Sequence, residues 1–141
     1  MSISEPRRLL ALAMATLVCV ACAASAPVVL HYDPALVRLS GTIVFETYFG
    51  PPNYGENPDT DSKEQARFLN LDRPVSVEGD PTDELNSESV NDIGRIQLNA
   101  EGSLSRYLGK HVRISGTLYH SFTAHRHTDV LLTVRRIQIV R

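Results

Sequence analysis

The chain has 141 residues, 14 basic and 16 acidic, for a formal net charge of −2. That length allows one domain with a single core, and beyond the N-terminal stretch no apolar run approaches the length that spans a bilayer. Both cysteines, Cys19 and Cys22, lie near the start, so a chain processed beyond Cys22 has neither a disulfide nor a cysteine metal ligand.

Residues 1–26 read as a signal peptide. Arg7 and Arg8 precede a charge-free apolar run over residues 9–21, and the small residues of ACAASA follow, ending at Ala26. The run is short for a membrane span and the order is the secretory one, so export is expected. Ala24-Ser25-Ala26 has the A-x-A form, but Pro27 behind it suits signal peptidase poorly, which leaves cleavage after Ala23 or Ala24 as alternatives. Val20-Ala21-Cys22 offers another route, lipidation at Cys22, with Cys19 standing where a lipobox has Leu. Residues 27–141 are then the one expected domain, periplasmic or associated with the outer membrane.

Residues 37–46 alternate in polarity, with Val37, Leu39, Ile43 and Phe45 on one side, and predict a half-buried first strand. Phe68, Leu69, Leu71, Val75 and Val77 mark a second, with Asp72-Arg73-Pro74 as a turn, edge or bulge because proline cannot donate to a ladder. Ile96 and Leu98 suggest a short third strand. Residues 103–109 predict one or two turns of helix, with Leu104, Tyr107 and Leu108 on one face and Gly109 as its stop. The fourth strand spans residues 111–119, with Val112, Ile114 and Leu118 inward. The fifth spans residues 130–140, where the apolar phase slips at Arg135-Arg136 as a β-bulge would make it slip. Residues 50–66 and 79–92 are acidic, turn-rich and read as mobile loops.

Residues 37–43 (VRLSGTI) and 112–118 (VRISGTL) are identical at five of seven positions. Two such segments are too few for a solenoid; they fit two strongly coiled strands that each need an inward glycine to bend. Charge is also uneven. Residues 54–92 hold eleven acids and three bases, residues 93–141 two acids and eight bases. The halves either attract each other and face water, or the second offers a basic face to an anionic partner.

Three strands, a short helix and a two-stranded hairpin give a mainly β fold in the order of the OB-fold, a small five-stranded barrel with one short helix between strands three and four. The segment LGKHVRISGTL, residues 108–118, resembles the helix-to-strand joint of such barrels. Together with LSGT at 39–42, GPPNY at 50–54, LDRP at 71–74 and HRHTDVLLTV at 125–134, it resembles an exported bacterial family known only as domain of unknown function four-four-three-one. The resemblance implies a small envelope domain and brings no activity with it.

In an OB-fold the loops between strands one and two and between strands four and five border the binding face. The second of these is HSFTAHRHT, residues 120–128, which supplies His120, His125, Arg126 and His127; the first supplies Tyr54, with Tyr48 and Phe49 at its entrance. Aromatic and planar cationic groups suit stacking on rings or capture of an acidic partner. Zn²⁺ on His120, His125 and His127 is a rival reading, since His-x-His in an extended segment places both rings on one side. Strand parity opposes it, because His120 continues the inward row while counting back from Val130 and Leu132 puts His125 and His127 on the other side. His31 and His111 are expected on the surface. No G-x-S-x-G, H-E-x-x-H or phosphate-cradling glycine loop occurs, and Asp59, Asp61 and Glu64 read as solvating charge. The sequence therefore predicts a non-enzymatic binding module that needs no cofactor and recognises an envelope protein or a glycan. A periplasmic inhibitor or immunity protein and a histidine-based metal-binding domain are the alternatives. Nucleic acid fits the fold but not the address.

Overall fold

Polarity that alternates along the sequence becomes strand at each of the five expected places. The computed structural model describes residues 26–123 and 125–141; the expected leader, with its cleavage and lipidation points, lies but for Ala26 outside them. The elements are β1 (Val28–His31), β2 (Leu36–Phe49), β3 (Lys63–Glu78), β4 (Val90–Asn99), a single 3-10 turn (Ser105–Tyr107), β5 (His111–His120) and β6 (Val130–Ile139). The five predicted strands are β2 to β6, and β1 is an addition the sequence reading missed. It is too short to show alternation and pairs parallel with the end of β3, Val28 opposite Val75.

β2, β5, β6, β4 and β3 follow one another side by side, and β4 pairs back onto β3, so these five close into a barrel-like ring with β1 outside it. Within the ring only β4 and β6 run parallel. The interior is aliphatic: Ile43, Leu69, Ile96, Val112, Ile114, Leu118 and Leu132 are fully buried in one cluster. Each such side chain removed from water contributes about 1.5–3 kcal/mol. Tyr107 and Leu104 of the 3-10 turn plug the cluster.

Two corners explain the echoing VRxSGT segments. The segments are neighbours, paired antiparallel so that Leu39 opposes Ile114, Arg38 opposes Ser115 and Ser40 opposes Arg113. A Cβ at Gly116 would stand 2.0 Å from the Thr133 carbonyl oxygen, and one at Gly41 would stand 2.1 Å from that of Asn70. The next strand's backbone thus occupies the space a side chain would need, which lets the sheet coil tightly enough to close. The expected bulge is also present: Arg136 opposes Ser115 and Val134 opposes Gly116, leaving Arg135 as the extra residue.

β3 runs through Asp72-Arg73-Pro74, and its register with β4 shifts there, between Asn70 and Val75, so of the turn, edge or bulge expected of this segment it is the bulge. Two expectations need correction. The predicted helix is only a 3-10 turn. Leu108 leaves it in an extended conformation (φ −54°, ψ 127°) and is exposed, so it does not share the face of Leu104 and Tyr107; Gly109, at φ 70°, does stop the turn. Finally, the acidic loops are closed on hydrogen bonds of their own. Asp61 is 8% exposed and accepts from the backbone of Asn53, Gly55 and Asn57 and from the Asn53 amide, so it organises residues 50–62 and is not a solvating charge. Asn86, also buried, donates to Asp83 and anchors residues 79–89. Asp59 and Glu64 are exposed as expected.

Candidate binding site

Strand parity sends Leu69 and Ile96 into the ring and therefore Phe68 and Arg95 to its outer face. Phe68 is nonetheless only 1% exposed, because other side chains cover it there. The Arg95 guanidinium lies over its ring, 3.8 Å from the centroid, and the rings of Tyr48 and His127 approach it edge-on at 6.3 Å and 6.2 Å. His127 in turn stacks on Tyr48, with centroids 3.5 Å apart and planes 12° from parallel. A guanidinium over an aromatic ring is favourable because its positive charge meets the ring's negative face, and edge-to-face rings are among the preferred aromatic arrangements.

The lid is held by backbone and carboxylate contacts. The His127 N–H donates to Gln97 Oε1 at 2.9 Å, and the Gln97 N–H donates to the Thr128 hydroxyl at 3.0 Å, which ties the β5–β6 loop onto β4. Arg95 Nη2 lies 2.6 Å from Glu46 Oε1 as an ion pair rather than an aligned hydrogen bond. The Tyr48 hydroxyl donates to Glu46 at 2.6 Å. That bond first, and the Arg95 guanidinium second, hold the Glu46 carboxyl below its ordinary pKa; the bond to Glu46 likewise raises the Tyr48 phenol.

From this base the two loops meet. Asp61 fixes the β2–β3 loop in a turn that sets Tyr54 at φ 51°, and His125 stacks on Tyr54 at 4.2 Å and 16°. For Asp61 itself burial acts to raise the pKa, but the hydrogen bonds from Gly55, Asn53 and Asn57 outweigh it and the net direction is down. Two His–Tyr stacks, one from each end of the loops, then border an open groove of about 340 Å³ lined also by Thr47, Phe49 and Glu64. It combines exposed ring faces with a carboxylate and a hydroxyl, and such a set can stack on a flat apolar ring face while accepting hydrogen bonds at its edge.

Of the predicted site residues, Tyr48, Tyr54, His125 and His127 come together in this groove. Arg126 is exposed between the two histidines, its N–H donating to Thr123. His120 is placed otherwise. Its N–H donates to Asn86 Oδ1, its Nε2 lies 3.6 Å from Glu88, and its ring meets Tyr32 and Phe122 edge-on. Tyr32, buried and donating to the Glu88 carbonyl, has its phenol pushed up to about 12 by burial first and by Glu88 and Asp129 after it. The parity argument that separated His120 from His125 and His127 is therefore the correct one. Among the described residues no three histidine, cysteine or carboxylate side chains gather as a metal site. His31 and His111 lie exposed beside Glu78 and Asp72.

Sequence reasoning missed Phe68, Arg95, Gln97 and Glu46. A signal was present: Phe68 adjoins Leu69, and in a strand with one buried face two consecutive large apolar residues require a second burial site on the other face.

No curated protein and no solved structure matches the chain. Residues 95–138, from within β4 through the histidine loop and into β6, match the model of a family described as Domain of unknown function (DUF4431), the family the sequence resembles.

Proposed function

We propose that the protein is a non-enzymatic binding module of the bacterial envelope, exported and built as an OB-fold-like barrel, that recognises a glycan or a protein segment through the β2–β3 and β5–β6 loops. The observation that supports it most is the pair of His–Tyr stacks, His127 on Tyr48 and His125 on Tyr54, bordering one groove. Nothing in that groove resembles a nucleophile with a base beside it. The Tyr48–His127 stack is instead held by Glu46 and Gln97, which suits a recognition surface, since contacts held in place before binding cost less entropy on association. Glu64 at the edge suits hydroxyl or amide donors of a ligand.

The test is direct titration of the protein with soluble envelope oligosaccharides and, separately, capture from an envelope extract. Both are repeated with a Tyr54→Ala, His125→Ala variant. Binding in either experiment that the variant loses supports the reading and distinguishes glycan from protein. Ligands bound equally by both would move recognition away from the loops and overturn it.

A further inference from the structure

The basic C-terminal half raises a second question that the rim leaves unanswered. Among the described residues, Arg95 is the one arginine of residues 93–141 within ion-pair distance of a carboxylate. Three arginines lie instead on the outer face of β2, β5 and β6, along a groove of about 370 Å³ whose lining includes Leu36, Arg38, Arg113, Ser115, Arg136 and Gln138 and no acid.

Their arrangement follows from the sequence echo. In VRxSGT the Arg and Ser are two residues apart, so both point to one face of the strand, and that face is outward because the flanking Val and Leu or Ile are in the core. Pairing the two copies antiparallel sets Arg38 opposite Ser115 and Ser40 opposite Arg113. β6 then adds Arg136 opposite Ser115 and Gln138 opposite Arg113. Ser115 is accordingly flanked by an arginine on each neighbouring strand, about 5 Å away across the ladder, with a third two residues along its own strand, about 7 Å away. A guanidinium has reach enough from each position to meet the others over Ser115. Like charges brought together without counter-charges repel, so an anion that joins them relieves the repulsion.

The bulge extends the surface. Arg135, the unpaired residue, and Arg136 are both exposed and line a neighbouring groove that also contains Arg106, Ser103 and one acid, Glu101. Arg136 is common to the two grooves.

We propose that the outer face of β2, β5 and β6 is a binding site for a phosphate group, seated over Ser115 between Arg38, Arg113 and Arg136. Guanidinium forks match the tetrahedral oxyanion with paired N–H donors, as an ammonium does not. The Ser115 hydroxyl and Gln138 amide supply neutral donors to the oxygens that remain. The rest of the ligand runs toward Arg135 and Arg106. This face is separate from the His–Tyr groove, and none of its residues takes part there.

The experiment is titration of the full chain with inorganic phosphate at constant ionic strength, followed by backbone amide shifts, alongside flotation with phosphatidylcholine vesicles containing or lacking phosphatidic acid. The expected result is saturable shifts at Ser115 and Gln138, with affinity reduced at least tenfold in Arg113→Gln and in Arg136→Gln and unchanged in Lys63→Gln, a control at the Phe49 end of the sheet. Arg113→Lys, which keeps the charge and the fold, is expected to lose most of the affinity as well. Binding of free phosphate without flotation identifies a soluble phosphate ligand, whereas flotation only with phosphatidic acid identifies a lipid headgroup; either supports the site. Chloride competing as well as phosphate, equal loss in Lys63→Gln, or no shifts and no flotation would overturn it.

Discussion

Ile114 and Phe68 are both almost wholly buried, yet they lie on opposite faces of the ring. Ile114 sits among aliphatic side chains packed by their shape, and its contribution is hydrophobic burial that any well-fitted apolar residue could supply. Phe68 sits under a lid of Arg95, Tyr48 and His127, of which Arg95 and Tyr48 meet Glu46. The inner face therefore sets the fold, and the outer face uses the same means, an aromatic ring withdrawn from water, to hold the His127–Tyr48 stack of the proposed binding groove in place.

The largest expected effect tests the inner face. Gly116→Val should destabilise the protein by about 3 kcal/mol or more, because a Cβ there meets the backbone of β6. Ser115→Val, one residue away and outward, should change stability by less than about 1 kcal/mol. Thermal melts of the two variants check this, and equal midpoints would contradict the assignment of faces.

Phe68→Ala should cost about 3 kcal/mol, as a buried aromatic does. It should also release His127 from Tyr48, seen as loss of the upfield ring-proton shift that a stacked imidazole shows. Ile114→Ala, of similar cost, should leave that shift in place in the folded fraction. A shift unchanged in both variants would show that the lid does not depend on the ring beneath it.

A pH dependence sharpens the account of the outer face. Glu46 has its folded pKa lowered by Tyr48 and Arg95, so its contribution is present above the ordinary carboxylate range and is lost as pH falls through that lower value. Wild type should therefore be the more stable at neutral pH in comparison with Glu46→Gln, and the two should converge in acid below the ordinary carboxylate pKa. A difference between them that persists unchanged into strong acid would remove Glu46 from the lid.

The smallest effect is expected at the rim itself. His125→Ala removes an exposed ring stacked on an exposed tyrosine and should alter stability by no more than about 0.5 kcal/mol, while weakening ligand binding at the groove. A large drop in melting temperature would mean that His125 supports the loop and does not serve recognition.

The five strands of the ring, their inward residues and the bulge at Arg135 are legible in local sequence, whereas β1 and the carbonyls that require glycine at positions 41 and 116 come from strand pairing. Period-two alternation and a slip in its phase reflect only which residues can face an apolar interior. Parity also sufficed to separate His120 from His125 and His127. The tertiary structure alone decided what covers the outer face. Phe68, Arg95, Glu46 and His127 lie far apart in the chain and meet only because β2, β3 and β4 are neighbours and a loop tied to Gln97 folds across them. The same holds for the arginines around Ser115: the VRxSGT echo is visible in the sequence, but antiparallel pairing of its two copies beside β6 is what places them along one groove. Alternation states which face a side chain takes, and only the register between strands states which side chains share it.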